Sequence, residues 1–452
     1  MSATATTEKK YLKWYQKLAY GSGDLASNCS YGLVSSFVLL YLTGTLGLDS
    51  AIIGSLMLAS KVLDGISDVI FGTLIDRTHS KLGKARPWML FGQVGVSLCL
   101  FLLFAIPAGS TTMQYIYFFI VYTALNAVFY TANGIAYSSL VALITKNNNE
   151  RVQLGSFRFM FAVVTNIFMG FAVTGMVEKF GSGAAGWRTT ALIFAIVGLV
   201  VNTISCLAVK ELPEEELSGN TSEAAEEGKA VAEEKKHGFA ETAKILVHNK
   251  YYLMILAIYI VYYIMSNLTT GAGVFCATYY WGDGSLLGQF SMMKMFPVII
   301  ALAIAPVLIK KTGSMQKVNF WGYAISSVLG IPMIYFAMQK NLSMFLLFMF
   351  IKGVFAGTLS GSLNALIAEA SGYTTRTTGV HMDGMMYSCS SLGVKVGGGI
   401  GTAAVGWLLK LGGFVGTATV QSESAIRMIF NLYITFPFVI GIIITVLLAF
   451  LD

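Results

Sequence analysis

The sequence predicts an all-α membrane protein with twelve transmembrane helices. Of its 452 residues, 55% are apolar and only 12% are charged, which is too little polar surface to cover a soluble globule of this size. Apolar stretches long enough to cross a bilayer recur along the whole chain. The twelve predicted spans are residues 18–44, 50–76, 87–107, 114–144, 153–178, 188–210, 252–280, 286–309, 318–338, 343–371, 380–411 and 425–451.

One polar stretch interrupts this pattern between the sixth and seventh spans. Residues 211–250 are rich in Glu, Lys and Ala, with Pro213 and Gly219 near their start, as is typical of a solvated linker. We therefore predict a six-helix bundle over residues 1–210, a cytoplasmic linker over 211–250 and a second six-helix bundle over 251–452. Basic, glycine-containing loops follow both the second and the eighth span. They indicate a duplicated unit, unless topology alone requires them.

The distribution of Lys and Arg sets the predicted orientation. Basic residues cluster in segments 9–17, 77–86 and 310–317, whereas loops 44–50 and 108–114 have none. By the positive-inside rule, both termini are cytoplasmic. The expected location of this multi-pass protein is a bacterial plasma membrane. The net charge of +7 follows from this loop bias, so it argues against a nucleic-acid partner. The expected macromolecular environment is the lipid bilayer, with the protein as a monomer.

Two carboxylates interrupt the second span. Asp64 and Asp68 share a helix face with Lys61, and they lie roughly 18 Å and 12 Å along the helix from Asp76 at its cytoplasmic end. That is mid-depth in a hydrocarbon core about 30 Å thick, where charged groups are costly and usually functional. The cluster predicts a cation site, with both acids as metal ligands if the cation is Na⁺. The alternative is a buried ion-pair cluster that only fixes helix packing.

Other reactive side chains have no arrangement that indicates catalysis. The five cysteines lie in apolar spans without paired spacing, and the four histidines lie in or beside predicted cytoplasmic loops. No group of His, Cys or acidic residues has metal or nucleophile spacing, and there is no nucleotide-binding run. We therefore predict that the protein is not an enzyme and uses no cofactor apart from a coupling Na⁺ or H⁺.

A longer motif around the second span gives a specific resemblance. Leu63-Asp-Gly-Ile-Ser-Asp68, followed by Asp76-Arg-Thr-His-Ser-Lys-Leu-Gly-Lys-Ala-Arg-Pro-Trp88, resembles the signature of the glycoside–pentoside–hexuronide:cation symporter family of the major facilitator superfamily, typified by melibiose permease. Further matches open the first, fifth and eleventh spans, at residues 20–24, 151–158 and 373–384. The resemblance implies the major facilitator fold of two six-helix bundles and symport by alternating access.

The resemblance also implies roles for the charged residues. In that family, the two acids of helix two bind the coupling Na⁺, H⁺ or Li⁺, and they correspond to Asp64 and Asp68. The family's helix-eleven lysine corresponds to Lys395, which lies in a glycine-rich run. A mid-membrane lysine needs an acidic partner, so Lys395 and Lys61 are the expected charge partners of the acids. The glycines around Lys395 are expected to allow close helix approach.

The predicted sugar site keeps some family positions and departs at others. Asp24, Arg158 and Lys395 match the family, but Asn28 stands where melibiose permease has a helix-one aspartate, and Gly134 stands at its helix-four aspartate. A galactoside held by the same bonds is therefore not expected. Amides can still donate to and accept from hydroxyls, and aromatic rings can pack on a pyranose face, although ordinary packing is the alternative for each ring. The remaining candidate sugar ligands are Asn28, Asn133, Tyr31 and Tyr137.

Charges at the cytoplasmic helix ends form a separate predicted group, an ion-pair gate that holds the bundles closed inside. Its members are Asp76, Arg77, Lys84, Arg86, Arg151, Arg376 and Asp383; the alternative is that they only determine topology. Lys352 in the tenth span has no family counterpart that we can place. A base of this kind would suit the carboxylate of a uronide, but we interpret Lys352 as snorkelling toward the outer surface.

Together these features predict a secondary active transporter that imports a glycoside with Na⁺ or H⁺. A hexuronide or glucuronide symporter of the same fold is the alternative. A membrane sugar sensor that does not transport is the main rival from another class, because it would keep a sugar site without needing a cation pair.

Overall fold

The computed structural model describes residues 9–213, 216, 249–378, 383–418 and 420–451, so most of the predicted linker lies outside the described residues. The regular structure of the described part is entirely helical. Each predicted span coincides with one helix. These are α1 (Trp14–Thr45), α2 (Ser50–Asp76), α3 (Arg86–Leu103), α4 (Thr111–Ile144), α5 (Asn148–Lys179), α6 (Gly183–Leu207), α7 (Lys250–Trp281), α8 (Leu286–Thr312), α9 (Met315–Met338), α10 (Leu342–Thr378), α11 (Asp383–Leu411) and α12 (Glu423–Ala449).

Eleven of these helices are apolar enough, over a long enough stretch, to cross a membrane on composition alone. The remaining one, α2, is 27 residues long, but Lys61, Asp64 and Asp68 interrupt its apolar sequence. Its other face is apolar and exposed, with Val62 62%, Ile66 59% and Val69 73% accessible. A helix with one lipid-compatible face and one charged face is therefore expected to span beside a polar interior.

The described residues group into two compact units. Unit 1 holds residues up to Val34, Ala59–Met169 and the chain from Gly175 to the linker. Unit 2 holds Ser35–Leu58, Gly170–Thr174 and the chain after the linker. The predicted division into residues 1–210, 211–250 and 251–452 stays a prediction.

In unit 1, two carboxylates fix the chain at one end of the helices. Glu150 accepts hydrogen bonds from the backbone N–H groups of Tyr11 and Leu12 and pairs with Lys17 at 3.0 Å. Glu211 accepts three backbone N–H groups, from residues 84, 85 and 86, at 2.7–3.1 Å. These donors lie at the start of α3, where backbone N–H groups lack helical partners. Glu211 therefore caps α3 from a position remote in sequence.

In unit 2, glycines bring α11 against α7. A Cβ at Gly393 would lie 2.3 Å from Tyr259 Cβ, one at Gly397 2.4 Å from the Ile260 carbonyl oxygen, and one at Gly401 2.6 Å from the Ile264 carbonyl oxygen. These glycines recur every fourth residue and so lie on one helix face. Only hydrogen fits at each position, and the expected close approach of the helix that carries Lys395 is confirmed.

Four helices contain a π-helical turn: Tyr41–Thr45 in α1, Ala124–Tyr130 in α4, Cys276–Trp281 in α7 and Asn431–Thr435 in α12. Such turns insert a residue into the helical ladder and are frequent at functional sites. The turn in α4 ends immediately before Thr131, whose side chain reaches the charged face of α2.

Candidate functional site

The charged centre of α2 has a neutral partner on α4. Asp64 receives the Thr131 hydroxyl on Oδ1 at 2.7 Å and the Lys61 ammonium on Oδ2 at 3.4 Å. Lys61 and Asp64 are separated by one helical turn, as the sequence predicts. Asp68 lies on the same face one turn further along α2. The two carboxylates are the predicted oxygen ligands of a hard cation, and the Thr131 hydroxyl hydrogen-bonds to one of them.

A metal ion at this place would need further oxygen ligands. Among the described residues, no group of three or more His, Cys, Asp or Glu side chains is placed to hold a metal ion. Na⁺ can accept neutral oxygens such as hydroxyl and carbonyl groups, so Asp64 and Asp68 with the Thr131 hydroxyl are the residues that would hold it. The assignment of both acids as cation ligands stays a prediction.

A second charged pair joins α1 to α5. Arg158 Nε donates to Asp24 Oδ2 at 2.7 Å, and the guanidinium lies 4.2 Å above the centre of the Tyr137 ring. The Tyr137 ring in turn packs on Tyr20 with ring centroids 4.7 Å apart. Each tyrosine hydroxyl donates to the backbone carbonyl of the other. Three predicted sugar ligands, Asp24, Arg158 and Tyr137, therefore form one cluster in unit 1.

An amide pair extends this cluster along α1. Asn28 Nδ2 donates to the Asp24 carbonyl oxygen at 2.7 Å, and Asn166 Nδ2 of α5 donates to Asn28 Oδ1 at 2.9 Å. An asparagine amide has two donor hydrogens and an oxygen with two lone pairs. Asn28 therefore keeps one donor and one acceptor for another partner.

Two other predicted sugar ligands have protein partners. Asn133 is buried, and its Nδ2 donates to Gln93 Oε1 at 2.7 Å. The other amide atoms of this pair, Asn133 Oδ1 and Gln93 Nε2, are buried and have no hydrogen-bond partner among the residues that the structure describes. Tyr31 stacks on Tyr130 with ring centroids 5.9 Å apart. The pair of Asn133 and Gln93 therefore retains one unused acceptor and one unused donor group, whereas Tyr31 is held by ring packing.

The predicted gate residues differ in their partners and exposure. Arg86 Nε donates to the Cys206 carbonyl oxygen at 3.2 Å, and Arg151 Nε donates to the Thr145 carbonyl oxygen at 3.0 Å. Both guanidinium groups thus stabilise helix ends within unit 1. Asp76, Arg77 and Arg376 are exposed, while the side chain of Asp383 lies outside the described part. The ion-pair network stays a prediction.

A cavity of about 170 Å³ lies in unit 2, and none of the predicted sugar ligands lines it. Lys352 of α10 does line it, together with Lys294 of α8. The interpretation of Lys352 as snorkelling toward the outer surface is wrong, because Lys352 lines this cavity within unit 2. Lys395, the predicted coupling lysine, lies on α11 of the same unit and does not line this cavity.

Sequence reasoning missed four residues of these sites. Thr131, Asn166 and Gln93 are ordinary polar residues in apolar spans, and only the folded helices show which residues they contact. Lys294 did have a signal, because it is an ionisable residue inside an apolar span and so marks a functional candidate. Roles were predicted for charged residues that match positions of the family, and Lys294 is not one of them.

Comparisons with known proteins identify the family of the whole chain. The family described as MFS/sugar transport protein matches residues 19–452. The chain is 26% identical over 435 residues to the isoprimeverose transporter of Lactiplantibacillus pentosus, covering 95% of this chain and 87% of that protein. It is 25% identical over 426 residues to the inner membrane symporter YicJ of Escherichia coli (strain K12), covering 93% and 88%.

The solved structure of a D-xylose-proton symporter has the same fold, with a TM-score of 0.67 at 13% identity over 97% of each chain. The family match and the relatives show that the chain is a multi-pass secondary active sugar symporter of the major facilitator superfamily. The chain belongs to the MFS/sugar transport protein family. The predicted twelve-helix fold and the resemblance stated from the α2 motif are both confirmed.

Proposed function

We propose that the protein imports a glycoside together with Na⁺ or H⁺ by alternating access, as a monomer in the plasma membrane with both termini in the cytoplasm. The observation that carries the proposal is the charged centre of α2, where Asp64 and Asp68 stand in the middle of a membrane-spanning helix. A sugar sensor would not need this costly pair. The relatives in the family are transporters, so we propose no enzymatic activity.

Charge balance explains how such a pair would couple two fluxes. A carboxylate in a low-dielectric interior needs a positive partner, and Lys61 supplies one to Asp64 at 3.4 Å. A cation bound between Asp64 and Asp68 would take over that role. Lys61 and Lys395 are the proposed groups that compensate the acids after the cation leaves. Cation binding would therefore change which contacts of the acids with the lysines are favourable. A cation that stabilises one conformation of the transporter more than the other shifts the equilibrium between the two conformations.

The glycoside is proposed to bind at the cluster of Asp24, Arg158, Asn28 and Tyr137. This cluster combines a charged donor and acceptor, an amide with one free donor and acceptor, and an aromatic ring. Such a combination suits a sugar, which presents several hydroxyls beside an apolar ring face. The isoprimeverose transporter among the relatives supports a glycoside as the class of substrate. The cytoplasmic charges Asp76, Arg77, Arg86, Arg151, Arg376 and Asp383 are proposed as the gate.

The test is uptake of labelled glycosides into proteoliposomes, with Na⁺ and H⁺ gradients imposed in separate experiments. We expect one gradient to drive accumulation of at least one glycoside above its external concentration. Collapse of that gradient with an ionophore should return the internal sugar to the external level. If a bound glycoside never accumulates under either gradient, the protein is a sensor and the proposal is wrong.

A further inference from the structure

The cavity in unit 2 brings two lysines together without an acid. Lys294 of α8 and Lys352 of α10 both line it, and no Asp or Glu is among its described lining residues. Its volume of about 170 Å³ is several times the roughly 30 Å³ that one water molecule occupies. The cavity can therefore hold part of an organic solute rather than a single water or ion.

Close packing of α8 and α10 places these lysines on the same cavity. A Cβ at Gly353 would lie 2.9 Å from Pro297 Cβ, and one at Gly357 would lie 2.7 Å from Ala301 Cβ. The glycines let the helix backbones approach where side chains would separate them. Lys352 immediately precedes Gly353, and Lys294 lies three residues before Pro297. Lys294 and Lys352 thus lie on adjoining helices next to this contact, and both line the cavity.

The partners of Lys294 are neutral. Its Nζ lies 3.2 Å from the hydroxyl oxygens of both Thr269 and Thr270 on α7. Each of these hydroxyls donates its own hydrogen to a backbone carbonyl of α7, so their lone pairs are available to the ammonium. Lys352 has no hydrogen bond or ion pair to another residue in the part of the chain that the structure describes. These contacts orient a cation but do not neutralise it.

Two positive groups on one membrane-embedded cavity repel each other and are costly without a negative partner. The rest of the wall favours an organic ligand, because Phe345 and Tyr433 offer aromatic surface while Tyr262 and Ser360, joined by a hydrogen bond of 2.6 Å, offer hydroxyls. We infer that Lys294 and Lys352 form an oxyanion subsite for an acidic sugar, binding its carboxylate or an equivalent sulfonate or phosphate. The inference rests on the proposed function for the claim that this sugar is transported.

The test compares two probes that differ only at the acidic group, 4-nitrophenyl β-D-glucuronide and 4-nitrophenyl β-D-glucoside. Their affinities for the full-length protein in detergent are measured by calorimetry without any ion gradient. We expect the wild type to bind the glucuronide at least tenfold more tightly than the glucoside, because charge-assisted hydrogen bonds are about twice as strong as neutral ones. Equal affinities, or no binding of either probe, would overturn the inference.

Variants then assign the preference to the two lysines. Lys294→Gln and Lys352→Gln should each reduce the glucuronide preference several-fold, and Lys352→Arg should retain it. Lys310→Gln is the matched control, since Lys310 lies on α8 but is exposed and outside the cavity. If a glutamine variant does not fold, a methionine at the same position replaces it. The ratio of the glucuronide and glucoside affinities of the wild type tests the inference without any variant. A preference that survives in both cavity variants contradicts the inference.

This outcome is separable from that of the proposed function. A glucuronide preference that depends on both lysines supports the oxyanion subsite even if no gradient drives uptake, in which case only the transport proposal fails. Gradient-driven uptake of neutral glycosides with equal binding of the two probes supports transport and overturns the subsite.

Discussion

Thr131 donates its hydroxyl hydrogen to Asp64 Oδ1 at 2.7 Å, and the same hydroxyl oxygen lies 2.9 Å from the Asn126 carbonyl oxygen. A hydroxyl has one donor hydrogen and two acceptor lone pairs. Thr131 can therefore donate to an ionised Asp64, or donate to Asn126 and accept from a protonated Asp64. This geometry suits a carboxylate that changes its charge or its cation during the transport cycle.

We expect Thr131→Val to weaken cation binding roughly 10- to 150-fold, because a hydrogen bond to a charged group contributes roughly 1.5–3 kcal/mol. The change keeps the size of the side chain and removes the hydroxyl. The measurement is the Na⁺ or H⁺ concentration that gives half-maximal uptake. Thr131→Ser, which retains the hydroxyl, is the control and should resemble the wild type. An unaltered cation dependence in Thr131→Val would show that this bond does not serve Asp64 in transport.

Asn28→Ala should weaken glycoside binding by roughly 2- to 12-fold while cation binding is retained, since one neutral hydrogen bond contributes about 0.5–1.5 kcal/mol. Equilibrium binding of a transported glycoside and of the cation measures the two effects separately. The wild type should transport melibiose weakly or not at all, and Asn28→Asp should raise melibiose uptake because it introduces the acid found at this position in melibiose permease. Robust melibiose uptake by the wild type would remove Asn28 from the predicted site.

Gly397→Ala should reduce the stability of the protein by about 1–3 kcal/mol, the usual range for overpacking. The added Cβ would lie 2.4 Å from the Ile260 carbonyl oxygen, so α11 must move away from α7. Gly175→Ala is the matched control, because no described atom outside the local helix backbone lies within 4 Å of a Cβ at that position. Thermal unfolding in detergent compares the two variants. Equal melting temperatures would mean that the α7 and α11 contact tolerates an added methyl group.

The ion pair of Asp49 and Lys410 should make the stability of the protein depend on pH. The Lys410 ammonium, 2.6 Å from Asp49 Oδ2, lowers the pKa of Asp49, and backbone N–H groups at the start of α2 lower it further. A carboxyl whose pKa is depressed by folding stabilises the protein fully above the unfolded value of about 3.9, and it loses that contribution as pH falls through the folded pKa.

We therefore expect Asp49→Asn to lower the melting temperature at pH 5–7 and to have a smaller effect as the pH is brought below about 4. Asparagine can still accept the backbone N–H groups, so the comparison isolates the interaction with Lys410. Lys410→Gln should give the same pH profile, and the double variant should add little to either. A difference in melting temperature that persists unchanged at low pH would exclude the ion pair as its source.

Composition and periodicity predicted the helices well because a bilayer forces every backbone polar group to be satisfied within its own segment. Even α2, which carries three charged residues near its middle, was placed correctly from length and flanking loops. The glycines of α11 were also interpreted correctly, since small residues at a spacing of four have few roles besides helix contact.

The side-chain contacts between helices could not be predicted from the sequence. Thr131 and Asn166 resemble other polar residues in their spans, and their partners depend on helix rotation, which hydropathy does not determine. The role of Lys352 was misjudged because a lysine in an apolar span can either snorkel or face a cavity. Which of the two occurs depends on the neighbouring helices, whose residues form the cavity that Lys352 lines. A single local pattern cannot encode such a contact.

The most direct test of cation coupling through Asp64 and Asp68 is concentrative glycoside uptake by Asp64→Asn and Asp68→Asn in proteoliposomes under an imposed gradient. Because a hard cation would lose a charged ligand in a low-dielectric site, we predict that accumulation is abolished in both variants while downhill exchange of sugar is retained. Asp283→Asn, in the exposed turn between α7 and α8, should accumulate sugar like the wild type. Wild-type accumulation in Asp68→Asn under the same gradient would contradict the account and leave the acids as packing partners of the lysines.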